Sequence, residues 1–489
     1  MVRLKKLGVL YIQLDPDYDD EYFLGSVKHH FTEYIENYRF TPAFRSGRWN
    51  GKISMYNGFK RTLPYGLLTD LIRFQKEEYP DLKLVPDKDV LDMFKNPKEY
   101  EINWDLKYFP RDYQRESAEV VLKYTKGIIR SATASGKSLI ISYIIKTLLE
   151  NRATKHNLII VPTISLVEQF KSDMIEYGIK PDLIGQVYEA KKEFDKPIVV
   201  STWQSLSTHH TYLKMYECVI CDEVHQAKAY EIKKIMEKCI NAIYRFGFTG
   251  TLPSSKIDLW NIKSFIGPVL REYTAHELSE MGYISKCNVL AINVKYQNEY
   301  DGEYNELKEK IFNNKFRLNL LHHIVSSVDG NILLLVGKVE KEGELLKEFL
   351  KSKQYKNKEI IFIHGGTDVK EREEWRKECE KRKNIILIAT YGTFQMGINI
   401  PSLKYVALAS PFKSKIRVLQ SIGRSLRTHA DKVNGAVVFD IIDESKYLLD
   451  HGIKRSRYYS SEGFNVIEEV IEEGDNIIDL VPMMLKKIS

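Results

Sequence analysis

Three short groups of residues carry side chains whose types and spacing could do chemistry. The first is Ser131-Ala-Thr-Ala-Ser-Gly-Lys-Ser138. A phosphate-binding loop needs backbone N–H groups converging on phosphate oxygens, a lysine to neutralise charge and a hydroxyl for a divalent cation, all at the start of a helix. Here Gly136 permits close backbone approach, Lys137 can reach β- and γ-phosphates and Ser138 can bind Mg²⁺, with Thr133, Ala134 and Ser135 completing the cradle. Ser131 stands where the pattern G-x-x-x-x-G-K-[ST] has its first glycine, so the loop alone does not decide between a nucleotide site and a serine-rich turn.

The second group, Asp222-Glu223-Val224-His225, follows the apolar run YECVIC. A carboxylate at the tip of a strand can hold Mg²⁺ and the next one can orient and deprotonate a water, so Asp222 is assigned to the metal and Glu223 to the water. In isolation the two acids could equally cap the following helix. Their place at the end of a buried strand, where ligands of open α/β sheets collect, favours the catalytic assignment. The third group is Gln420-Ser-Ile-Gly-Arg424-Ser-Leu-Arg427. Arginines at these spacings lie on neighbouring parts of one helical face and can point at one site. Their planar, permanently charged donors suit a γ-phosphate, although two helix arginines alone could simply be solvated.

The elements that must position these groups are legible as alternating runs. From about Lys126 to Glu272, short apolar segments (GIIR, NLIIVP, KPIVVST, YECVIC, YRFGFTG) alternate with longer amphipathic ones, the signature of a parallel sheet covered on both faces. A second block repeats the rhythm with NILLLVG, EIIFIHG, NIILIAT, YVALAS and GAVVFDII, and TAHELSEMGYISKCNVLAINV is expected to be the crossing between the two. The fold class is therefore α/β, with two parallel-sheet lobes in tandem. The first hundred residues mix short strands and helices with turn signals, which predicts a small α+β accessory domain. The expected divisions are 1–100, 101–272 and 273–489, the last ending in a helical tail.

Composition bounds the rest. A chain of 489 residues with 43% hydrophobic and 28% charged residues can bury several cores, which excludes a fibrous or disordered protein. No apolar run approaches the roughly 20 residues that span a bilayer, so no membrane partner is expected and a cytoplasmic protein is implied. The five cysteines form no even framework. Cys218 and Cys221 make a C-x-x-C, but within a strand such residues point to opposite faces, which argues against a metal or redox pair. The net charge of +7 permits an anionic partner without requiring one.

Taken in order, Gln114, SATASGKS, IIVPTISLVEQ, STWQSL, DEVH, FTGT, HGG, ATYGTFQMGINIP and QSIGRSLR resemble the motifs of superfamily 2 helicases. The resemblance implies two RecA-like lobes, use of ATP and Mg²⁺, and an ATP hydrolase of the DExH type. It implies that Gln114, helped by Arg111, reads adenine, and that Gly397 lies at the nucleotide. His225 would pair with Gln420, Thr249-Gly250-Thr251 would couple hydrolysis to movement, and Arg424 and Arg427 would sense phosphate. Thr163, Thr202, Trp203, Gln204, His364 and Thr390 fall in motifs that touch or flank the nucleic-acid backbone. The family's loop commonly reads Ala-x-Thr-Gly-x-Gly-Lys-Thr, which makes Ser131 and Ala134 small-residue variants. A departure is Asn399, where the family often has Asp.

The N-terminal run YRFTPAFRSGRWNGKISMYNGFKRTLPYGLL and the C-terminal HGIKRSRYY are similar to segments of phage recombination helicases that act on branched DNA. That likeness implies fork regression, junction migration and unwinding of R-loops or D-loops, with DNA junctions and RNA–DNA hybrids as partners, and host cytoplasm as location. Between Glu36 and Asp70 there is no acid, while Arg39, Arg45, Arg48, Lys52, Lys60 and Arg61 alternate with Tyr38, Phe40, Phe44, Trp49, Tyr56 and Phe59. Cations neutralise phosphates and aromatics stack on unpaired bases, though about half of such aromatics should be core. Arg45, Arg48 and Lys52, and then Trp49, are the expected DNA contacts. Lys454, Arg455 and Arg457 are either a second basic patch or a solvated helix face. An RNA helicase, a translocase that does not part strands and a non-hydrolysing binding protein are the alternative readings.

Overall fold

The computed structural model describes the chain except residues 97, 227–228, 298–299, 301, 356, 396–399, 401, 413–417, 420–421, 424–425, 427–428, 430–431, 433–434 and 489, and the side chains of 226, 229, 369 and 395. Two compact units emerge, Met1–Ser131 with Gly136–Glu272, and Ala132–Ser135 with Tyr273–Ser489.

The first unit is built on a parallel sheet. From one edge inward its strands run Lys191–Lys192, Ile184–Tyr188, Ile198–Thr202, Asn157–Val161, Cys218–Asp222, Tyr244–Thr249 and Lys126–Ser131. Lys191–Lys192 is an exposed edge pair that runs antiparallel to its neighbour; buried apolar runs rich in Ile, Val and Phe make the other strands, since such side chains pack well on a pleated surface and leave no polar face for water. Alternation sends Cys218 and Ile220 into the core on one face and Val219 and Cys221 into the core on the other. The two thiols are buried and unpaired, as the strand period requires.

The first hundred residues form their own sheet, ordered Thr62–Pro64, Tyr11–Pro16, Val2–Leu7, Leu84–Pro86, with Val2 opposite Pro16 and Leu7 opposite Tyr11. Helices Tyr22–His30 and Leu68–Glu78 cover it. Its core runs without a break into one face of the larger sheet, joining Phe31, Leu67 and Phe74 with Trp260, Phe265 and Val219 in one apolar cluster. The Tyr65 hydroxyl donates to the carbonyls of Phe265 (2.9 Å) and Ile266 (3.2 Å), and Lys263 pairs with Asp70 at 3.0 Å. Gly66 lies so close to the helix Lys256–Ile266 that an added Cβ would stand 1.7 Å from the Lys263 carbonyl oxygen. The accessory sheet is therefore fastened to the larger sheet by buried contacts.

The second unit carries a seven-stranded sheet in the order Glu359–Ile363, Ile385–Thr390, Ile332–Val336, Tyr405–Leu408, Ala436–Asp443, Cys287–Lys295, Asn465–Glu472, with its neighbours parallel. Two features differ from expectation. The stretch expected as a crossing contains the helix Ala275–Glu280 and then the nine-residue strand Cys287–Lys295, which sits inside the sheet rather than between sheets. The tail adds a strand, Asn465–Glu472, beside it, in addition to helices Lys446–Ser461 and Leu480–Lys486. Arg455 is no surface cation: it is buried against Asp440 at 2.9 Å and donates to the Phe412 carbonyl. Burial of a guanidinium requires such pairing, so Arg455 is a structural ion pair and leaves Arg457 exposed on the helix.

Candidate active site

The strand Lys126–Ser131 delivers the chain to the loop, and the helix Lys137–Glu150 carries it away. Two loop residues occupy left-handed backbone conformations, Ala134 at φ 70° and Gly136 at φ 74°. At Gly136 the reason is visible, since a Cβ there would stand 2.6 Å from the Gln114 amide nitrogen. Gln114 is buried over the loop and its side-chain oxygen accepts from the Arg111 backbone N–H (2.9 Å), fixing the start of the helix Asp112–Lys123. Ala134 has no such freedom, and the loop holds an alanine where glycine would be unstrained.

Lys137 reaches back along the loop. Its ammonium lies 3.4 Å from the Ser131 carbonyl oxygen and 3.3 Å from a Glu223 carboxylate oxygen. Glu223 leaves the strand Cys218–Asp222 in a left-handed conformation, φ 48°, that turns its side chain toward the loop. There its other oxygen accepts from the Gly250 backbone N–H (3.4 Å) and lies 3.4 Å from His225 Nδ1. Burial alone would raise the Glu223 carboxyl, but Lys137, His225 and the Gly250 N–H outweigh it and the net shift is downward, toward the ionised form. Asp222 moves the opposite way: burial first and the Glu223 charge second raise its carboxyl.

His225 is buried, which lowers its pKa and keeps the ring neutral. Its Nδ1 lies 2.5 Å from the Thr249 hydroxyl, which itself donates to the Thr251 carbonyl (2.7 Å). The hydroxyl proton being used there, Thr249 must accept from His225, which fixes the proton on Nδ1. A chain of contacts thus joins Thr251, Thr249, His225 and Glu223 to Lys137.

The donor set suits a hard cation at this point. Asp222 Oδ1 is buried without a hydrogen-bond partner, an expensive state for a carboxylate oxygen that a bound cation would relieve. The Ser138 hydroxyl, on the first turn of the helix, lies 2.8 Å from the Tyr177 hydroxyl. Among the described residues no three His, Cys, Asp or Glu side chains cluster as a metal cage. Mg²⁺ held by one or two protein oxygens, water and substrate phosphates needs no such cage.

A groove of about 600 Å³ on the same unit is lined by Thr163, Thr202 and Gln204, together with Tyr188, Lys192 and His209, which the sequence had not singled out. Thr163 and Thr202 each cap a helix, accepting from the N–H of Leu166 and Ser205 respectively. Trp203 instead packs against the apolar core. In the second unit His364 Nδ1 accepts from the Gly366 N–H (3.1 Å), and Thr390 is buried with its hydroxyl 2.8 Å from that of Thr393. Gly397, Asn399, Gln420, Arg424 and Arg427 lie outside the described residues. In the accessory domain Arg45, Arg48 and Lys52 are exposed, with Lys52 4.7 Å over the Tyr34 ring, whereas Trp49 is half-buried and donates to the Lys52 carbonyl (2.8 Å). Of the six aromatics only Tyr56 is core; Tyr38, Phe44 and Trp49 are half-buried, and Phe40 and Phe59 are exposed, so fewer of them are core than expected.

Comparison with known proteins adds three family matches: the Type III restriction enzyme res subunit over residues 107–254, the helicase conserved C-terminal domain over 317–429, and the DNA helicase UvsW N-terminal domain over 9–84. The chain is 27% identical to the ATP-dependent DNA helicase uvsW of Enterobacteria phage T4, over 90% of this chain and 94% of that protein. It is 28% identical to the DNA 3'-5' translocase XPB2 of Sulfurisphaera tokodaii, over 71% of this chain and 84% of that protein. Among solved structures, S. cerevisiae Dbp5 bound to RNA and ADP BeF3 matches with a TM-score of 0.55 at 16% identity, over 78% of this chain and 93% of that chain, a likeness of fold.

Proposed function

We propose that the chain is a superfamily 2 helicase, an ATP-dependent DNA helicase that remodels branched DNA, with domain limits at residues 100 and 272; the three family matches and the likeness to the phage T4 helicase support it. The observation that carries the reading is the Glu223 carboxylate, held ionised between Lys137, the Gly250 N–H and His225 beside the partnerless oxygen of Asp222. That arrangement is built to hydrolyse a phosphoanhydride. Lys137 draws charge from the phosphates, and Glu223 orients the attacking water and takes its proton. Ser138 and Asp222 would hold Mg²⁺, which would supply charge neutralisation on the phosphate oxygens.

The coupling follows from the same contacts. When Lys137 turns to phosphate, Glu223 loses one of its three partners and leans on Gly250 and His225. Gly250 lies between Thr249 and Thr251, so occupancy of the nucleotide site is felt in that segment. Gln420, Arg424, Arg427 and Gly397 complete the proposed site from the second lobe, with Gln114 and Arg111 reading the base. Thr163, Thr202 and Gln204 hold the DNA backbone, with His364 and Thr390 from the second lobe, because hydroxyls, amides and loop N–H groups position a strand without reading its sequence. Arg45, Arg48 and Lys52 add accessory-domain phosphate contacts, while Trp49 contributes chiefly by ordering Lys52.

No helix among the described residues is long and apolar enough to cross a membrane. DNA junctions are the proposed substrates, with RNA–DNA hybrids as a second class, in the host cytoplasm. The test is the ATPase rate at one fixed salt concentration with single-stranded DNA, forked DNA, a four-way junction and single-stranded RNA. Strongest stimulation by the branched DNAs is expected. Equal or greater stimulation by RNA would leave the motor intact and overturn the DNA reading.

A further inference from the structure

The accessory domain carries a turn that the mechanism above does not use. Residues 57–62 form a tight loop closed by two backbone bonds, Asn57 N–H to the Thr62 carbonyl (2.9 Å) and Thr62 N–H to the Asn57 carbonyl (3.1 Å). The Asn57 side chain accepts from the Lys60 N–H (2.9 Å) inside the loop, and the Leu14 N–H donates to the Arg61 carbonyl (2.9 Å) from the neighbouring strand. Arg61 sits at φ 54° and pairs with Glu21 at 2.9 Å. The turn is thus fixed on every side, and at its apex the Phe59 ring is 97% exposed.

A single exposed phenylalanine is ordinary on a protein surface. What distinguishes this one is its setting. Directly beneath the turn lies a groove of about 710 Å³ between the accessory sheet and the helices Ala229–Lys238 and Lys256–Ile266 of the motor unit, lined by Asn57, Lys60, Tyr11, Tyr230, Lys233 and Glu237 among others. Lys233 lies 5.8 Å over the Tyr11 ring, and Lys234, next to the lining, lies 4.2 Å over the Tyr230 ring, so the aromatic rings of the wall have cations beside them. Glu237, the one carboxylate among the described lining residues, is 3.9 Å from Lys233. Cations beside aromatic rings are what a single nucleic-acid strand requires, and an apolar ring carried on a fixed turn beside them can enter a base step.

We propose that Phe59 is a wedge that parts the strands at a DNA branch and that the groove lined by Lys60, Tyr11, Tyr230 and Lys233 receives the displaced strand. The proposal deepens the helicase reading and rests on it. Because Tyr65, Gly66 and Asp70 fasten the accessory sheet to the motor unit, translocation drives the wedge without a flexible joint between turn and motor sheet.

The experiment compares full-length wild type, Phe59→Ala and Phe59→Tyr on forked DNA with 2-aminopurine at the last base pair of the fork, reading its fluorescence on binding, strand separation, and ATP hydrolysed on single-stranded DNA. Phe59 being exposed, neither substitution should move the melting temperature. In Phe59→Ala the fluorescence rise should be lost, and fork separation per ATP hydrolysed on single strand should fall about five- to a hundredfold, the range set by one base–aromatic stack. Phe59→Tyr should restore both. Lys60→Gln with Lys233→Gln should lower the slope of log affinity against log salt on forked DNA by about 1 to 2. Wild-type behaviour of Phe59→Ala would overturn the wedge while leaving the helicase standing, and would free the ring for a protein partner. A wild-type protein stimulated by none of the DNAs would instead overturn the reading on which the wedge rests.

Discussion

Lys126 starts the strand that leads into the phosphate loop, yet it is only 7% exposed. Its ammonium donates to the Met93 carbonyl (2.7 Å) and lies 5.4 Å from the Tyr65 ring centroid. Burial, and then the charges of Arg245 and Lys6, push its pKa down to about 7 from 10.5. Arg245 is itself fully buried, donating to the carbonyls of Ala242 and Cys239. A base whose folded pKa lies below its unfolded value binds fewer protons when folded, so stability rises with pH between about 7 and 10.5. A shift of this size corresponds to roughly 4–5 kcal/mol of destabilisation, fully present below the folded pKa and gone above the unfolded one. Lys126→Met removes that burden and loses one hydrogen bond worth about 1 kcal/mol. The Met93 carbonyl keeps a partner in the Thr125 hydroxyl at 2.7 Å. The variant should therefore melt about 6 °C or more above wild type at pH 6.5, given roughly 2–4 °C per kcal/mol for a unit of this size. The gap should close to about 1 °C by pH 9.5–10. The assay is paired thermal unfolding of both proteins across that range. Parallel curves, with a gap independent of pH, would refute the assignment of a neutral buried lysine.

Three other outcomes follow from the site and its support. Glu223→Gln should keep ATP binding and lose about 10²-fold or more in hydrolysis, the usual contribution of a general base, and normal turnover would remove Glu223 from that role. Ala134→Gly should be at least as stable as wild type, because relief of a left-handed alanine is worth about 1 kcal/mol and offsets the entropy of the added glycine; a loss above about 1 kcal/mol in denaturant unfolding would contradict the φ of 70°. Gly66→Ala must move backbone 1.7 Å from the new carbon and should destabilise by about 3 kcal/mol or more, measured by thermal melting; a melting temperature within 2 °C of wild type, about 0.5–1 kcal/mol, would show that the accessory sheet is not packed this closely.

Much of the motor was legible because its signals are local. Runs such as NLIIV and ILLLV are branched, apolar and short, and they became the central strands of the two sheets. The acids Asp222 and Glu223 were legible for the same reason, a carboxylate pair at the end of such a run. What the spacing could not supply is backbone conformation: that Glu223 turns back at φ 48° toward Lys137, or that Ala134 takes the place of a left-handed glycine. The strand Asn465–Glu472 went unread because it carries Glu468, Glu469 and Glu472 on a strand at the end of the sheet order, where one side needs no apolar partner. Arg455 was misplaced because its partner Asp440 lies on a strand fifteen residues earlier, a pairing that charge counting does not reveal.

The accessory domain shows where local reading stops. Its cations and aromatics were visible as a pattern, but which rings face water and which make the core is decided by contacts between residues 200 or more apart in the chain. Tyr65 reaches Phe265 and Ile266, and Trp260 packs on Phe31 with ring centroids 5.5 Å apart. Those long-range contacts turn a small sheet that could have been a tethered module into a fixed part of the motor unit. The distinction bears on function, since a tethered module can raise affinity for DNA but cannot transmit force to a branch. A fastened one can do both, and this is why Gly66 and Tyr65, which touch neither nucleotide nor the proposed DNA groove, should affect strand separation more than ATP hydrolysis.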